Sequence, residues 1–224
     1  PLYSSAASDV YKRQIIALSD IHSETRHFAA MAEALTAADV VFIAGDITHF
    51  GGAAGAREVI EDLRLYNPSI LAVPGNCDGR GVQEYLACEG LSLHDRRVDI
   101  DGVAFAGLCR WLDDEPAASG GPDMYARAAA SLAGARRVVF LTHQPAYGTV
   151  IDTLPGGRHG GNRETRSLLE RVAPVLAVSG HVHEAAGTDR LGPTTLVNPG
   201  PARRGRYARI VLSEQVESVE LCSV

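Results

Sequence analysis

Nothing in this chain comes near the ~20 consecutive apolar residues that a transmembrane helix needs, so the sequence carries no signal for a membrane-spanning helix. Cysteine is sparse: Cys77, Cys88, Cys109 and Cys222 lie scattered, with no Cys-x-x-Cys spacing. In a chain of this length that pattern reads as reduced thiols in a cytoplasm. Positive charge is not in excess either. Lys and Arg number 21 against 27 Asp and Glu, and the formal net charge of −6 leaves no footprint for broad binding to nucleic acid or a membrane surface. A local basic patch stays open. Internal repeats, low-complexity tracts and linkers are absent, so the 224 residues read as one domain with a sizeable core. The apolar share of 46% and charged share of 21% are those of an ordinary globular protein.

The first fourteen residues are unlike the rest. Ser4-Ser5-Ala6-Ala7-Ser8-Asp9-Val10-Tyr11-Lys12-Arg13-Gln14 resembles translated sequencing-adapter sequence, and it lacks the charged start, apolar middle and small-residue cleavage site of a signal peptide. Residues 1–14 are expected to be a non-native or disordered lead in place of the true start. The domain is expected to span 15–224, with its first strand beginning near Ile15.

What is present is one arrangement that occurs five times. Val40-Val41-Phe42-Ile43-Ala44 runs straight into Gly45-Asp46, and a short apolar run ended by a turn residue reads as a buried strand. Similar runs lead into Asp20-Ile21-His22, into Gly75-Asn76-Cys77-Asp78, into His143, and into His181-Val182-His183. Each ends in Asp, Asn or His, the oxygen and imidazole donors that suit Mn, Fe or Zn. Ligands of open α/β sheets collect beyond the carboxyl ends of the strands, so these residues are expected along one edge of one sheet.

Between the runs, helical spacing is expected over residues 26–38, from after Gly51-Gly52 to about Tyr66, and over 82–87, 123–132 and 164–172. The first three strands and their helices form a βαβαβ unit with parallel strands. Asp101-Gly102, between Arg97-Val98-Asp99-Ile100 and Val103-Ala104-Phe105-Ala106, predicts a hairpin. Two long loops follow, over 109–122 and 144–162. Residues 194–197, 206–212 and 216–221 read as strands of an antiparallel part.

Asp20-x-His22, Gly45-Asp46, Gly75-Asn76, His143 and His181-x-His183, in this order, resemble the calcineurin-like metallophosphoesterase superfamily over residues 15–212. Thr142-His143-Gln144-Pro145, Gly180-His181-Val182-His183-Glu184 and Val197-Asn198-Pro199-Gly200-Pro201 look like its small bacterial and archaeal phosphodiesterase-like branch. The resemblance implies an α/β fold, a four-layered α/β/β/α sandwich with mixed sheets. It implies two divalent metal ions, Mn first and Fe or Zn as alternatives, with Asp20, His22, Asp46 and His183 on one. Asp46, Asn76, His143 and His181 would hold the other, with Asp46 bridging. It implies hydrolysis of a phosphoester by attack of a metal-bridging hydroxide. Singly, each residue has a plainer reading. Asp20 and His22 suit a turn, Asn76 a turn beside glycine, His143 a satisfied core position, and His181 and His183 an adventitious chelating pair. Their joint order favours the metal centre.

The chain departs from the family where many members carry a leaving-group histidine after the asparagine. Here that residue is Cys77, and a thiol is a poor general acid. His159, in Gly157-Arg158-His159-Gly160-Gly161-Asn162, is the candidate to act on the leaving group in its place. The other reading is an exposed loop histidine. Arg203, Arg204 and Arg206 read as a solvated cluster or a phosphate contact. Trp111, Asp113, Asp114 and Glu115 read as packing or a cleft lining. The function expected is a binuclear phosphodiesterase. The alternatives are a phosphomonoesterase or protein phosphatase, a nuclease, and a catalytically weak scaffold for protein interaction.

Overall fold

The computed structural model describes residues 12–109 and 123–224. In chain order the strands are β1 (Arg13–Leu18), β2 (Val40–Ala44), β3 (Ile70–Val73), β4 (Arg96–Ile100), β5 (Val103–Leu108), β6 (Val138–Thr142), β7 (Leu176–Val178), β8 (Gly187–Leu191), β9 (Thr194–Asn198), β10 (Arg206–Leu212) and β11 (Val216–Ser223). The helices are α1 (Ala32–Ala37), α2 (Ala53–Arg64), α3 (Arg80–Cys88), α4 (Met124–Leu132) and α5 (Arg163–Val172).

The strands form two mixed sheets, ordered β11-β10-β1-β2-β3 and β4-β5-β6-β7-β9-β8. Each has a parallel centre, β1-β2-β3 in one and β5-β6-β7-β9 in the other, with antiparallel strands outside it. Side chains alternate across a strand, and that alternation builds the layers. Ile16 and Leu18 of β1 face α1, α2 and α3 in a cluster with Leu35, Ile60 and Leu86. Ile15 and Ala17 face the second sheet, in a cluster with Phe42, Phe105, Leu141 and Val178. Phe42 and Phe105 meet edge to face across it, 5.8 Å between ring centroids. On the far side, Ala104 and Phe140 pack with Leu132 of α4 and Leu168 of α5. The result is the expected α/β/β/α sandwich.

The Asp101-Gly102 hairpin forms as expected, with β4 and β5 paired antiparallel and both turn residues at positive φ, 49° and 74°. Several expectations need correction. The strand-end donors do not line one sheet: Asp20, Asp46 and Asn76 follow strands of the first, and His143 and His181 follow strands of the second. Strand β1 begins at Arg13 rather than near Ile15 and so takes in Arg13 and Gln14 of the expected lead; the Gln14 amide donates to Asp39. Helix α1 is shorter than 26–38, because residues before it turn through three-residue bonds such as Phe28 N–H to Thr25 O, although Phe28 and Met31 are still buried. Strand β9 runs parallel to β7 inside the second sheet, and its antiparallel partner β8 has no counterpart in the sequence reading. The 144–162 loop is built around a 3-10 turn at Val150–Asp152 and bridges from Ala146 to Asn162 and from Thr153 to His159. Trp111, Asp113, Asp114 and Glu115 lie outside the described residues.

Candidate metal centre

The loops that leave the two sheets are locked to one another before any side chain is considered. Asp20 N–H donates to Gly45 O (3.0 Å), His22 N–H to Asp46 O (2.9 Å) and Gly180 N–H to His143 O (2.9 Å). Asp20, His22, Asp46 and His181 all adopt left-handed backbone, φ between 49° and 69°. Side chains rarely take that conformation unless their surroundings impose it. Gly45 (φ +83°) is needed for space as well as conformation: a Cβ there would stand 2.5 Å from His143 Nδ1. A buried carboxylate, Asp78, accepts from the amides of Ile47, Thr48 and Gly75 (2.8–3.0 Å) and so ties the β2 loop to the β3 loop.

These loops bring Asp20, His22, Asp46, Asn76, His143, His181 and His183 together. Asp46 Oδ2 lies 3.4 Å from His143 Nε2 and 3.6 Å from His22 Nε2. Asp20 Oδ1 lies 3.0 Å from His183 Nε2. Asn76 Oδ1 is 3.0 Å from His143 Nε2 and 2.9 Å from His181 Nδ1. Donor atoms within 4.8 Å of one another form three overlapping groups: Asp20, His22 and His183; Asp20, Asp46 and His143; and His22, Asp46 and Cys77. Asp20, His22 and Asp46 are each shared by two.

The arrangement fits cations because it offers buried, unpartnered nitrogens and a proton that a cation can displace. Both ring nitrogens of His22 are buried without a hydrogen-bond partner. His143 Nδ1 lies 2.8 Å from the carbonyl oxygen of Ala44 and must donate to it, which turns Nε2 toward the oxygens of Asp46 and Asn76. Burial opposes charge on His143, but its contact with Asp46 raises it to about 9, so the protein's own groups hold a proton there. Burial would raise Asp46, yet His143 and the Cys77 amide hold it well below the usual carboxylate range. Burial would likewise raise Asp20, and the hydrogen bond with His183, the charge of His143 and the Ser19 hydroxyl outweigh it. Burial and the neighbouring His143 push His181 down to about 4, and burial lowers His22. A divalent cation is the group that replaces such a proton and leaves every imidazole neutral.

Cys77 sits at the edge of this cluster as a neutral thiol, pushed up to about 12 by burial and by the nearby Asp46, Asp78 and Asp20 carboxylates. His159 stands apart from the seven. Its Nδ1 is 2.8 Å from the wholly buried Asp152, and its ring lies 5.2 Å from that of Tyr147. Asp152 also accepts from the amides of Gly148, Thr149 and Gly161, so one carboxylate holds both the loop and the ring. The following Gly160 carbonyl accepts from Gln144, the neighbour of His143 (3.2 Å). Arg203 is the residue that sequence reasoning undervalued: its Nη2 is 3.3 Å from His183 Nδ1 and its Nε is buried without a partner. Nothing in Ala202-Arg203-Arg204 marks which arginine turns inward. Asp78 and Asp152 could have been found only as carboxylates beside glycine-rich turns.

Residues 14–213 match the model of the calcineurin-like phosphoesterase superfamily domain. An uncharacterised protein of Methanocaldococcus jannaschii, MJ1162, is 29% identical over 196 residues, which cover 84% of this chain and 88% of that protein. The UPF0046 protein K07C11.7 of Caenorhabditis elegans is 27% identical over 218 residues, covering 86% and 71%. Among solved structures, TT1561 of Thermus thermophilus superposes with a TM-score of 0.70 at 18% identity, over 95% of this chain and 99% of that one.

Proposed function

Because the chain belongs to the calcineurin-like phosphoesterase superfamily, we propose that its converging side chains hold two divalent cations and that it hydrolyses phosphodiesters. Asp20, His22, Asp46 and His183 take one cation. Asn76, His143 and His181, together with Asp46, would hold the other. The observation that carries this reading is His22, an imidazole with two buried, unpartnered nitrogens set among carboxylates. Mixed nitrogen and oxygen donors suit Mn, with Fe or Zn as alternatives. When bound, such cations acidify a water and neutralise the charge of the reacting phosphate.

The chain's own residues do the rest. Ala44 O fixes the His143 proton on Nδ1, so that Nε2 faces inward. Arg203 brings fixed positive charge beside His183, where an anionic ester would bind. Cys77, a thiol, is a poor general acid for a leaving group. His159, whose ring Asp152 orients through Nδ1, or solvent would supply that proton. An enzyme without a histidine at position 77 favours leaving groups that need little protonation, such as phenolates.

The test is hydrolysis of bis-p-nitrophenyl phosphate by metal-stripped protein with Mn²⁺ restored, beside Asp46→Asn. Turnover that depends on Mn²⁺ and disappears in the variant supports the reading. Two bound cations without turnover on Mn²⁺, Fe²⁺ or Zn²⁺ would overturn it and favour the scaffold. A higher kcat/KM for p-nitrophenyl phosphate than for the diester would make the protein a monoesterase.

A further inference from the structure

The loop after β2 presents an aromatic pair for which the metal centre has no use. Phe50 is 75% exposed, the one aromatic among the described large hydrophobic side chains left in solvent. Its backbone is left-handed, φ +55°, which for a bulky side chain is an outlier that the surroundings must enforce. They do so on both sides. Thr48 donates to Asp78 from its amide (2.8 Å) and its hydroxyl (2.7 Å), and the same hydroxyl accepts from Gly51 N–H (3.1 Å). Gly51 O then accepts from Gly79 N–H (3.2 Å). The turn is clamped before and after Phe50, and the ring is held out into water.

Phe50 is also connected to the site. Its ring centroid is 5.1 Å from that of His49, and His49 is 5.6 Å from His22, both edge to face. Three rings therefore step outward from a buried imidazole to solvent. An exposed apolar ring fixed two ring contacts from the charged cluster offers a surface on which a second flat ring can stack.

We propose that Phe50, backed by His49, is a stacking platform for the aromatic group of the substrate. The substrate class is then an aryl or nucleoside phosphodiester, its ring on Phe50 and its phosphate at the metal centre. This rests on the metal-centre reading above. Two ring-to-ring steps are a span that a ribose and its phosphate bridge. Stacking tolerates any flat ring, so the platform selects aromatic over aliphatic esters rather than one base over another.

The test is calorimetric binding of adenosine 5′-monophosphate and of ribose 5-phosphate to the Mn²⁺-loaded full chain. These two probes differ only in the ring. The expected result is ~10-fold tighter binding of the nucleotide. Phe50→Ala removes that preference without changing the ribose 5-phosphate affinity, and Phe50→Trp retains it. In turnover, Phe50→Ala raises KM for bis-p-nitrophenyl phosphate ~5–10-fold with kcat little changed. Both ligands binding equally and only with Mn²⁺ would sink the platform alone. So would a preference that survives Phe50→Ala. Ligand binding indifferent to Mn²⁺, or no binding at all, would remove the metal-centre reading and the platform with it.

Discussion

His143 is where proton and cation compete for the same lone pair. Its folded value of about 9 lies above the ordinary 6.5, so the stability it contributes is fully present below 6.5 and is lost as pH rises through 9. His181 works in the opposite sense. Lowered to about 4, it costs stability as pH falls from 6.5, because the unfolded chain then binds the extra proton. Cation-free protein should therefore melt highest near pH 6.5. The increment that Mn²⁺ adds should grow from pH 6.5 to 9 as the proton on His143 becomes easier to displace. Melting curves with and without Mn²⁺ across that range check it; a constant increment would refute the competition. Arg203 offers a second residue-scale test. Removing a positive charge beside His183 should tighten cation binding, by ~3–10-fold for Arg203→Ala, as read by titration calorimetry. A third concerns Cys77. Cys77→His should raise turnover on alkyl esters more than on aryl esters, because only the former need a proton delivered; equal gains on both would contradict it.

At the scale of elements, helix α5 locks the second sheet from outside and starts where the 144–162 loop ends. Asn162 caps it through Thr165 N–H (2.7 Å), and Asn162→Ala should cost ~1 kcal/mol of unfolding free energy. Leu168, with no exposed surface, should cost ~2–5 kcal/mol when cut to alanine, measured by urea unfolding at fixed Mn²⁺. The buried strands were legible because they are continuous apolar runs, and the β4–β5 hairpin because Asp-Gly specifies its turn. Strand β8 was not: Gly-Thr-Asp-Arg-Leu is an edge strand whose outer positions are polar, so its pattern resembles a loop. The ligand positions were legible because each stands at a strand end. Which sheet each strand joins was not, since identical apolar runs carry no mark of their pairing partner. Phe50 and Asp152 are ordinary residues in the sequence and acquire meaning from a backbone angle and a hydrogen bond.

For the molecule as a whole, the donors come from both sheets, so bound cations tie the two halves of the sandwich together. Calorimetry should count two equivalents of Mn²⁺ per chain and fewer in Asp46→Asn. Chelation should lower the melting temperature by ~10–20 °C if Mn²⁺ is present at about a hundredfold over its dissociation constant, since a ligand of the native state alone adds ~3 kcal/mol at each of the two sites there. An unchanged melting temperature would show that the sheets need no such tie.

Strand β1, which leads into Asp20 and His22, has β2 on one side and β10 on the other, with Arg13 opposite Leu212. A chain growing on the ribosome therefore exposes every donor, His183 being the last, while β1 still lacks one neighbour. The first sheet closes only after Arg206–Leu212 has emerged. A cation that needs β1 held in its finished sheet would therefore be taken up only once β10 has paired, from the pool around the nearly folded domain.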